Sequence, residues 1–405
     1  MFVHATREEL SFSSFWLVLV PPIIGYYVLA VLVCIPGYRS QRTGIIPPIL
    51  LLAYRAATTL DLSFANERLV YLNKGLVLAM TTLGFRIIVW VQSSQPYKRL
   101  QRIETDSRRV SGSAIAYNRR GQLYLDASDL AFGLRGIGWN WSQGLHIPSE
   151  TRPTSSKTSF AFWTLHSLAF HVLVFDFLHY LVQRFGPGTF GTIFGGSIFD
   201  ESLPPLIRFC RSTFISFLCG LVVHCAIQIA YDFCTLIGVV VLRQLPAQWP
   251  PIFDEPWRAD SLSDFWAKRW HQLFRHFFIG LGWVPLYYVF GRFGGVLGAF
   301  FVSGILHYLG LWGLGNGSDV FGMIGFFMLM GVGVILEGFW RKLTGYRVGG
   351  WIGRIWTALW LLGWSNILVD AWARKGLIGS LFIPDPYRLP VQFFGAIPAR
   401  TNGII

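Results

Sequence analysis

Apolar runs fill most of the chain, separated by short polar stretches or by glycine and proline. Nine of them are candidate membrane helices: 15–34, 45–60, 75–92, 159–182, 212–242, 277–291, 295–314, 320–339 and 351–372. A spanning helix needs about 20 apolar residues, so 45–60 and 277–291 are short and are expected to be tilted, re-entrant or hidden behind other helices. Pro21-Pro22, Pro47-Pro48 and Pro285 are expected to kink their helices. No internal repeat stands out. The pattern predicts an all-α polytopic membrane protein of about 8–9 transmembrane helices, folded as one membrane-embedded domain over 1–405.

Composition strengthens this reading. Of 405 residues, 53% are hydrophobic and only 14% charged, against about 25% charged in a soluble domain. Aromatics reach 17%, with 17 Trp, suited to membrane interfaces and to pocket walls. The net charge of +13 comes with no basic soluble domain or reader motif, which argues against nucleic acid. Orientation in the membrane, anionic lipid and an anionic cosubstrate explain it better. The five cysteines show no metal-ligand spacing, and their odd number argues against a disulfide framework. Two acids precede the first apolar run, which lacks the basic head of a cleaved signal and is read as a retained span.

Charge also orients the chain. The polar insert 93–158 carries Lys98, Arg99, Arg102, Arg108, Arg109, Arg119 and Arg120, which places it in the cytosol. Two spans later, 243–276 returns to the same face with Arg243, Arg258, Lys268, Arg269 and Arg275. If 277–291, 295–314 and 320–339 all crossed, Arg341, Lys342, Arg347 and Arg354 would fall on the opposite face. The segment 277–291 is therefore the one expected not to span.

Several polar groups in these runs carry a structural expectation. Leu134–Trp141 joins two glycines, two indoles and one cation, as an interfacial turn anchored by Trp would. His166 and His171 are five apart and face different directions on a helix, whereas Asp176 and His179 are three apart and are able to pair. With no HExxH or HxxHH pattern, these groups and His224 are expected to serve packing, and no metal is expected. Glu337 is placed to pair with Arg341 one turn on.

Two stretches in the 255–315 core carry the candidate chemistry. Ser261–His276 packs acids, bases, aromatics and two histidines together, with Ser261 and Asp264 in a form like a capping box. Phe300–Trp312 is an apolar helix with His307 in its middle. An ionisable residue inside a membrane helix raises a functional hypothesis, although an imidazole also serves as packing glue between helices. Ser303, Gly304, Gly310 and Leu311 share its face, and the small ones leave room beside the ring for a substrate. Low dielectric favours the neutral imidazole, the form that accepts a proton, and an apolar alcohol is its natural partner. The cations of the first stretch suit the phosphates of an acyl-CoA. The inferred reaction is acyl transfer to an alcohol, without an acyl-enzyme, since there is no GxSxG motif.

Ser261–Gln272 and Ser303–His307 together resemble the wax synthase-like branch of the membrane-bound O-acyltransferases, especially fungal members that decorate terpenoid and meroterpenoid natural products. Leu134–Trp141 also resembles a stretch of these fungal proteins. The resemblance implies that His307 is the catalytic base and that His271, which stands 36 residues earlier where the wider superfamily has asparagine, takes a catalytic or a structural part. It implies acyl-CoA contacts at Trp266, Lys268, Arg269, Trp270 and Arg275, and acceptor contacts at Ser303, Gly304 and Trp312. Acetyl-CoA is the implied cosubstrate, a hydrophobic alcohol the acceptor, membrane lipid the surroundings, and the endoplasmic reticulum membrane the location. A long-chain-alcohol O-fatty-acyltransferase making wax esters is the alternative within the enzyme class. A transporter is the alternative outside it, weakened by the lack of matching halves.

Overall fold

The computed structural model describes residues 7–100 and 119–397. It is helical almost throughout; the strands among the described residues are the parallel pair Glu8–Glu9 and Leu60–Asp61. Seven helical stretches are long and apolar enough to cross a membrane: α1 (Phe12–Cys34), α3 (Glu67–Gln92), α5 (Lys157–Arg184), α6 (Pro205–Val241), α7 (Arg275–Trp312), α8 (Phe321–Thr344) and α9 (Gly350–Arg374). The chain is thus an all-α, multi-pass membrane protein. Two further helices are α2 (Arg39–Thr59) and α4 (Arg119–Phe132). Of the insert's cations, Arg102, Arg108 and Arg109 lie outside the described residues.

Two of the nine expected spans fare differently from the rest. The run 45–60 belongs to α2, whose Arg39, Arg42 and Arg55 dilute its apolar character. It still packs along α1, where Ile49 fills the space beside Gly25. Arg42 donates to the carbonyls of Leu32 (2.9 Å) and Ile35 (2.6 Å), satisfying acceptors that the end of α1 leaves open.

The runs 277–291 and 295–314 are the two limbs of α7. Residues 16 apart in a straight helix stand about 24 Å from each other, yet Gly282 and Gly298 are in backbone contact. A Cβ built on Gly282 would lie 2.2 Å from the Gly298 carbonyl oxygen, and one on Gly298 would lie 2.3 Å from that of Gly282. The chain turns back on itself at Gly291, whose φ of 62° and ψ of −154° are open to glycine. The reversal is there and not at Pro285, which sits in the first turn after Trp283.

Contacts on either side of this hairpin place its ends. The helix α8 runs antiparallel to the second limb, with Ile324 against Gly304 and Leu297 and Phe300 against Gly331. Ser261–His271 starts beside the far end of α8, where Leu262 touches Gly333, and Trp266 then reaches Phe300 and Phe327. Phe277 packs with Val302 and Leu306. The chain therefore enters the bundle along 261–274 and leaves by the first limb at the same end. Arg292, Arg341, Lys342, Arg347 and Arg354 accordingly gather at one end: Lys342 Nζ lies 5.3 Å from the Phe293 ring, and Gly353 abuts Asp260. This removes the conflict in the charge pattern.

Other polar groups found partners that spacing did not predict. Asp176 pairs with Arg388 at 2.8 Å and not with His179, whose Nε2 meets the Ile378 carbonyl at 2.8 Å. The stretch Leu134–Trp141 does turn, at Gly136 and Gly138, and it is partly buried against the protein. Trp139 is 2% exposed, and Arg135 donates to the carbonyls of Pro250 and Pro251 (2.7 and 2.8 Å).

Gly282→Ala puts a methyl group into backbone that cannot move aside, and overpacking of this kind costs about 1–3 kcal/mol. Thermal unfolding in detergent should fall accordingly for Gly282→Ala and stay unchanged for Gly338→Ala, where a Cβ meets open space.

Candidate active site

The first motif begins as a capped helical turn, Leu262–Asp264, continued by Phe265–Arg269. Ser261 Oγ accepts the Asp264 N–H at 3.0 Å. The other exposed donors of this helix start go to Glu337, deep in α8. Its carboxylate accepts the Leu262 N–H (2.5 Å), the Ser263 N–H (3.0 Å), the Ser263 hydroxyl (2.7 Å) and the Trp356 indole N–H (3.0 Å). A carboxylate is well matched to the positive end of a helix. Glu337 is thus the pin that fixes the motif to the bundle, and it does not pair with Arg341. Its one signal in the sequence was an acid in the middle of an apolar helix.

The motif's cations separate into different roles. Asp264 pairs with Arg269, which also donates to the Asp254 carbonyl at 3.1 Å. Burial opposes the Arg269 charge, but the hydrogen bond and charge of Asp264 outweigh it and leave the pKa raised. Arg269 is therefore committed to holding the loop. Lys268 approaches Asp264 at 3.7 Å with its side chain 58% exposed, and Arg275 makes no ion pair among the described residues, sharing a recess with Trp141, Gln272 and His276.

The aromatics of the motif build the wall. Trp270 stacks on Phe265 (5.4 Å, 18°) and packs on Phe253 (5.0 Å). Trp266 lies edge-on to Phe300 (5.8 Å) and near Phe327 (6.2 Å). Phe327 in turn stacks on His307, with ring centres 4.7 Å apart and planes 12° apart. Among the described residues His307 makes no side-chain hydrogen bond, so its ring nitrogens are free for a ligand.

His271 sits at the inner end of the motif, between Trp270 (5.6 Å) and Phe274 (5.7 Å). Burial lowers its pKa to about 4, so it is neutral at physiological pH, and its buried Nδ1 has no hydrogen-bond partner among the described residues. It lies within electrostatic reach of His307, as does Lys74 of α3. The hairpin explains this proximity: folding α7 back at Gly291 returns the second limb to the depth at which the first motif ends.

Other expected site residues are placed differently. The room expected beside Gly304 is taken by Ile324, and that beside Gly310 by Leu78. Both glycines seat neighbouring helices closely. Ser303 is buried. Trp312 lies under the Arg7 guanidinium at 5.8 Å. Among the described residues, no three His, Cys, Asp or Glu side chains are grouped to hold a metal.

Residues 249–329 match the model of the Membrane bound O-acyl transferase family, a window that takes in both motifs and the hairpin between them. The family resemblance holds. Similar curated proteins include the acetyltransferase aurG of Calcarisporium arbuscula (31% identity over 35% of this chain and 38% of that protein) and the acetyltransferase ple2 of Rhodocybe pseudopiperita (28% over 56% and 61%). A plant protein, the probable long-chain-alcohol O-fatty-acyltransferase 8 of Arabidopsis thaliana, is 25% identical over 43% of this chain and 51% of its own. The chain thus aligns with less than two-thirds of the length of each. Glu337 and Lys74 lie beyond the O-acyltransferase match.

Glu337→Ala leaves two N–H groups, a hydroxyl and an indole N–H without their acceptor, and the buried Leu262 N–H alone accounts for a loss of about 1–3 kcal/mol. Its unfolding temperature in detergent should drop clearly, with Glu337→Gln, which keeps an acceptor oxygen, falling between it and the wild type.

Proposed function

We propose that the protein is an acyl-CoA-dependent O-acyltransferase that moves an acetyl group from acetyl-CoA to a hydroxyl of an apolar terpenoid-like or meroterpenoid alcohol. The observation that carries this reading is that His307 and His271, both within the matched segment, lie within electrostatic reach of each other, each packed among aromatic side chains. The acetyltransferase names of the fungal relatives support the acetyl donor.

Neutral His307 takes the proton of the acceptor hydroxyl as its oxygen attacks the thioester carbon. His271 donates a hydrogen bond to the carbonyl oxygen as charge develops on it. The carbon–sulfur bond breaks, the ester forms, and the proton held by His307 passes to the departing CoA thiolate. A positioned base contributes about 10²–10⁴-fold, and holding both substrates in line adds to it. Lys268 and Arg275 are the motif cations left for the CoA phosphates, Trp266 and Trp270 line the donor side, and the cationic end of the bundle faces the cytosol in the endoplasmic reticulum membrane. The plant relative's printed name supports a second reading, a long-chain acyl group moved to a fatty alcohol.

Microsomes carrying the protein should transfer acetyl from acetyl-CoA to a terpenoid alcohol, and His307→Ala should lower the rate by at least about 10²-fold while still reaching the membrane. His271→Ala should lower kcat more than it raises KM. Transfer that survives His307→Ala would sink the mechanism, and a preference for palmitoyl-CoA with fatty alcohols would select the second reading.

A further inference from the structure

A cavity of about 460 Å³ opens at the end of the bundle away from the hairpin, and the mechanism above leaves it unused. Spanning stretches meet the membrane face there: α3 begins at Glu67, α7 ends at Trp312 and α9 ends at Arg374. Glu67, Leu314 and Arg374 all line the space. The cavity therefore stands at the depth of the lipid headgroups, and its volume is within the range of small-molecule sites.

Its walls are fixed by the protein itself. Lys375 Nζ donates to the Asn316 carbonyl at 2.9 Å, and Asn316 Nδ2 donates back to the Lys375 carbonyl at 3.3 Å. Gly376, at a φ of 77°, presses against the loop between α5 and α6, where a Cβ on it would lie 2.0 Å from the Ile193 carbonyl oxygen. The lining divides by chemistry. Val70, Ile193, Phe194 and Leu314 supply an apolar side, with Phe194 exposed, while Arg374 and Lys375 supply cations and Glu67 an anion. Asp370 holds Arg374 through Nε at 2.5 Å. The Lys375 ammonium has donors beyond the one on Asn316 and makes no ion pair among the described residues. The Glu67 carboxylate makes neither an ion pair nor a hydrogen bond among them.

Charges of both signs beside an apolar side, at headgroup depth, match an amphiphile that carries both charges. We propose that this cavity binds a zwitterionic phospholipid with a primary ammonium, a phosphatidylethanolamine. Its phosphate meets Lys375 and Arg374, its ammonium meets Glu67, and its glycerol and upper chains cover Val70, Ile193 and Phe194. Glu67 decides among headgroups. A primary ammonium donates hydrogen bonds to a carboxylate. A choline headgroup has no N–H to give, and sites for quaternary ammonium are walled by aromatic cages, whereas this lining offers Phe194. A headgroup without an ammonium leaves Glu67 facing a phosphate, and like charges select against it. The site takes no part in acyl transfer, so the inference stands apart from the acyltransferase reading.

The test uses the full chain in mild detergent and native mass spectrometry with phosphatidylethanolamine, phosphatidylcholine and phosphatidylglycerol of matched acyl chains. Wild type should retain phosphatidylethanolamine about fivefold over either of the others, the upper end of what an exposed charge pair supplies. Glu67→Gln should erase that preference, and Glu67→Lys should turn it towards phosphatidylglycerol. Lys375→Gln should weaken all three alike. Because Lys375 also holds Asn316, Lys375→Arg is measured beside it and should keep the wild-type preference. Equal retention of the three lipids by wild type overturns the proposal, as does a preference for phosphatidylethanolamine that survives Glu67→Gln. Free phosphoethanolamine that binds as tightly as the lipid would overturn the lipid as the source of the headgroup.

Discussion

Everything that looks like a site here depends on two glycines touching. Gly282 and Gly298 bring their backbones together so closely that neither has room for a side chain, and that contact closes the two limbs of α7 into a hairpin. In the absence of a hydrophobic drive between helices in lipid, such close backbone approach is one of the available sources of cohesion. It sets the depth of His307 relative to the stretch that precedes the hairpin. It also leaves His271 at the same depth, although the two are 36 residues apart in the chain.

Around this hairpin the packing is layered. The face of α3 that carries Leu78 and Lys74 closes one side, and α8 closes another by way of Gly304 and Gly331. Because α8 comes so near, Phe327 reaches the His307 ring and holds its orientation by stacking. Aromatic contacts of this geometry contribute about 0.5–1.5 kcal/mol beyond area burial, and here they fix a side chain that makes no hydrogen bond of its own within the described residues. The ring is held by its face, and its nitrogens make no hydrogen bond among the described residues.

Apolar run length and residue type made the helices legible in the sequence, and the pairing of a basic aromatic stretch with a histidine in an apolar helix picked out the segment that matches the O-acyltransferase family. The mismatch in the charge pattern even pointed at 277–291. What could not be read was long-range partnership. Spacing on a helix suggests neighbours within one or two turns, so Asp176 was matched with His179 and Glu337 with Arg341. The real partners, Arg388 and the start of the first motif, come from distant parts of the chain. Small residues are ambiguous for the same reason: Gly304 and Gly310 mark close approach, and only the fold tells whether a ligand or a neighbouring helix makes that approach.

The pin that Glu337 supplies lies downstream of everything it holds. During synthesis the stretch from Ser261 to Arg269 emerges first, then the hairpin, and only afterwards the segment bearing the carboxylate that receives the Leu262 and Ser263 amides. Until that segment is inserted beside the second limb, the polar stretch lacks the acceptor for its first amides. Biogenesis of this region therefore finishes from the C-terminal side: the first motif gains its carboxylate anchor only when a later helix arrives, and a chain stalled before Glu337 carries His307 without that anchor beside it.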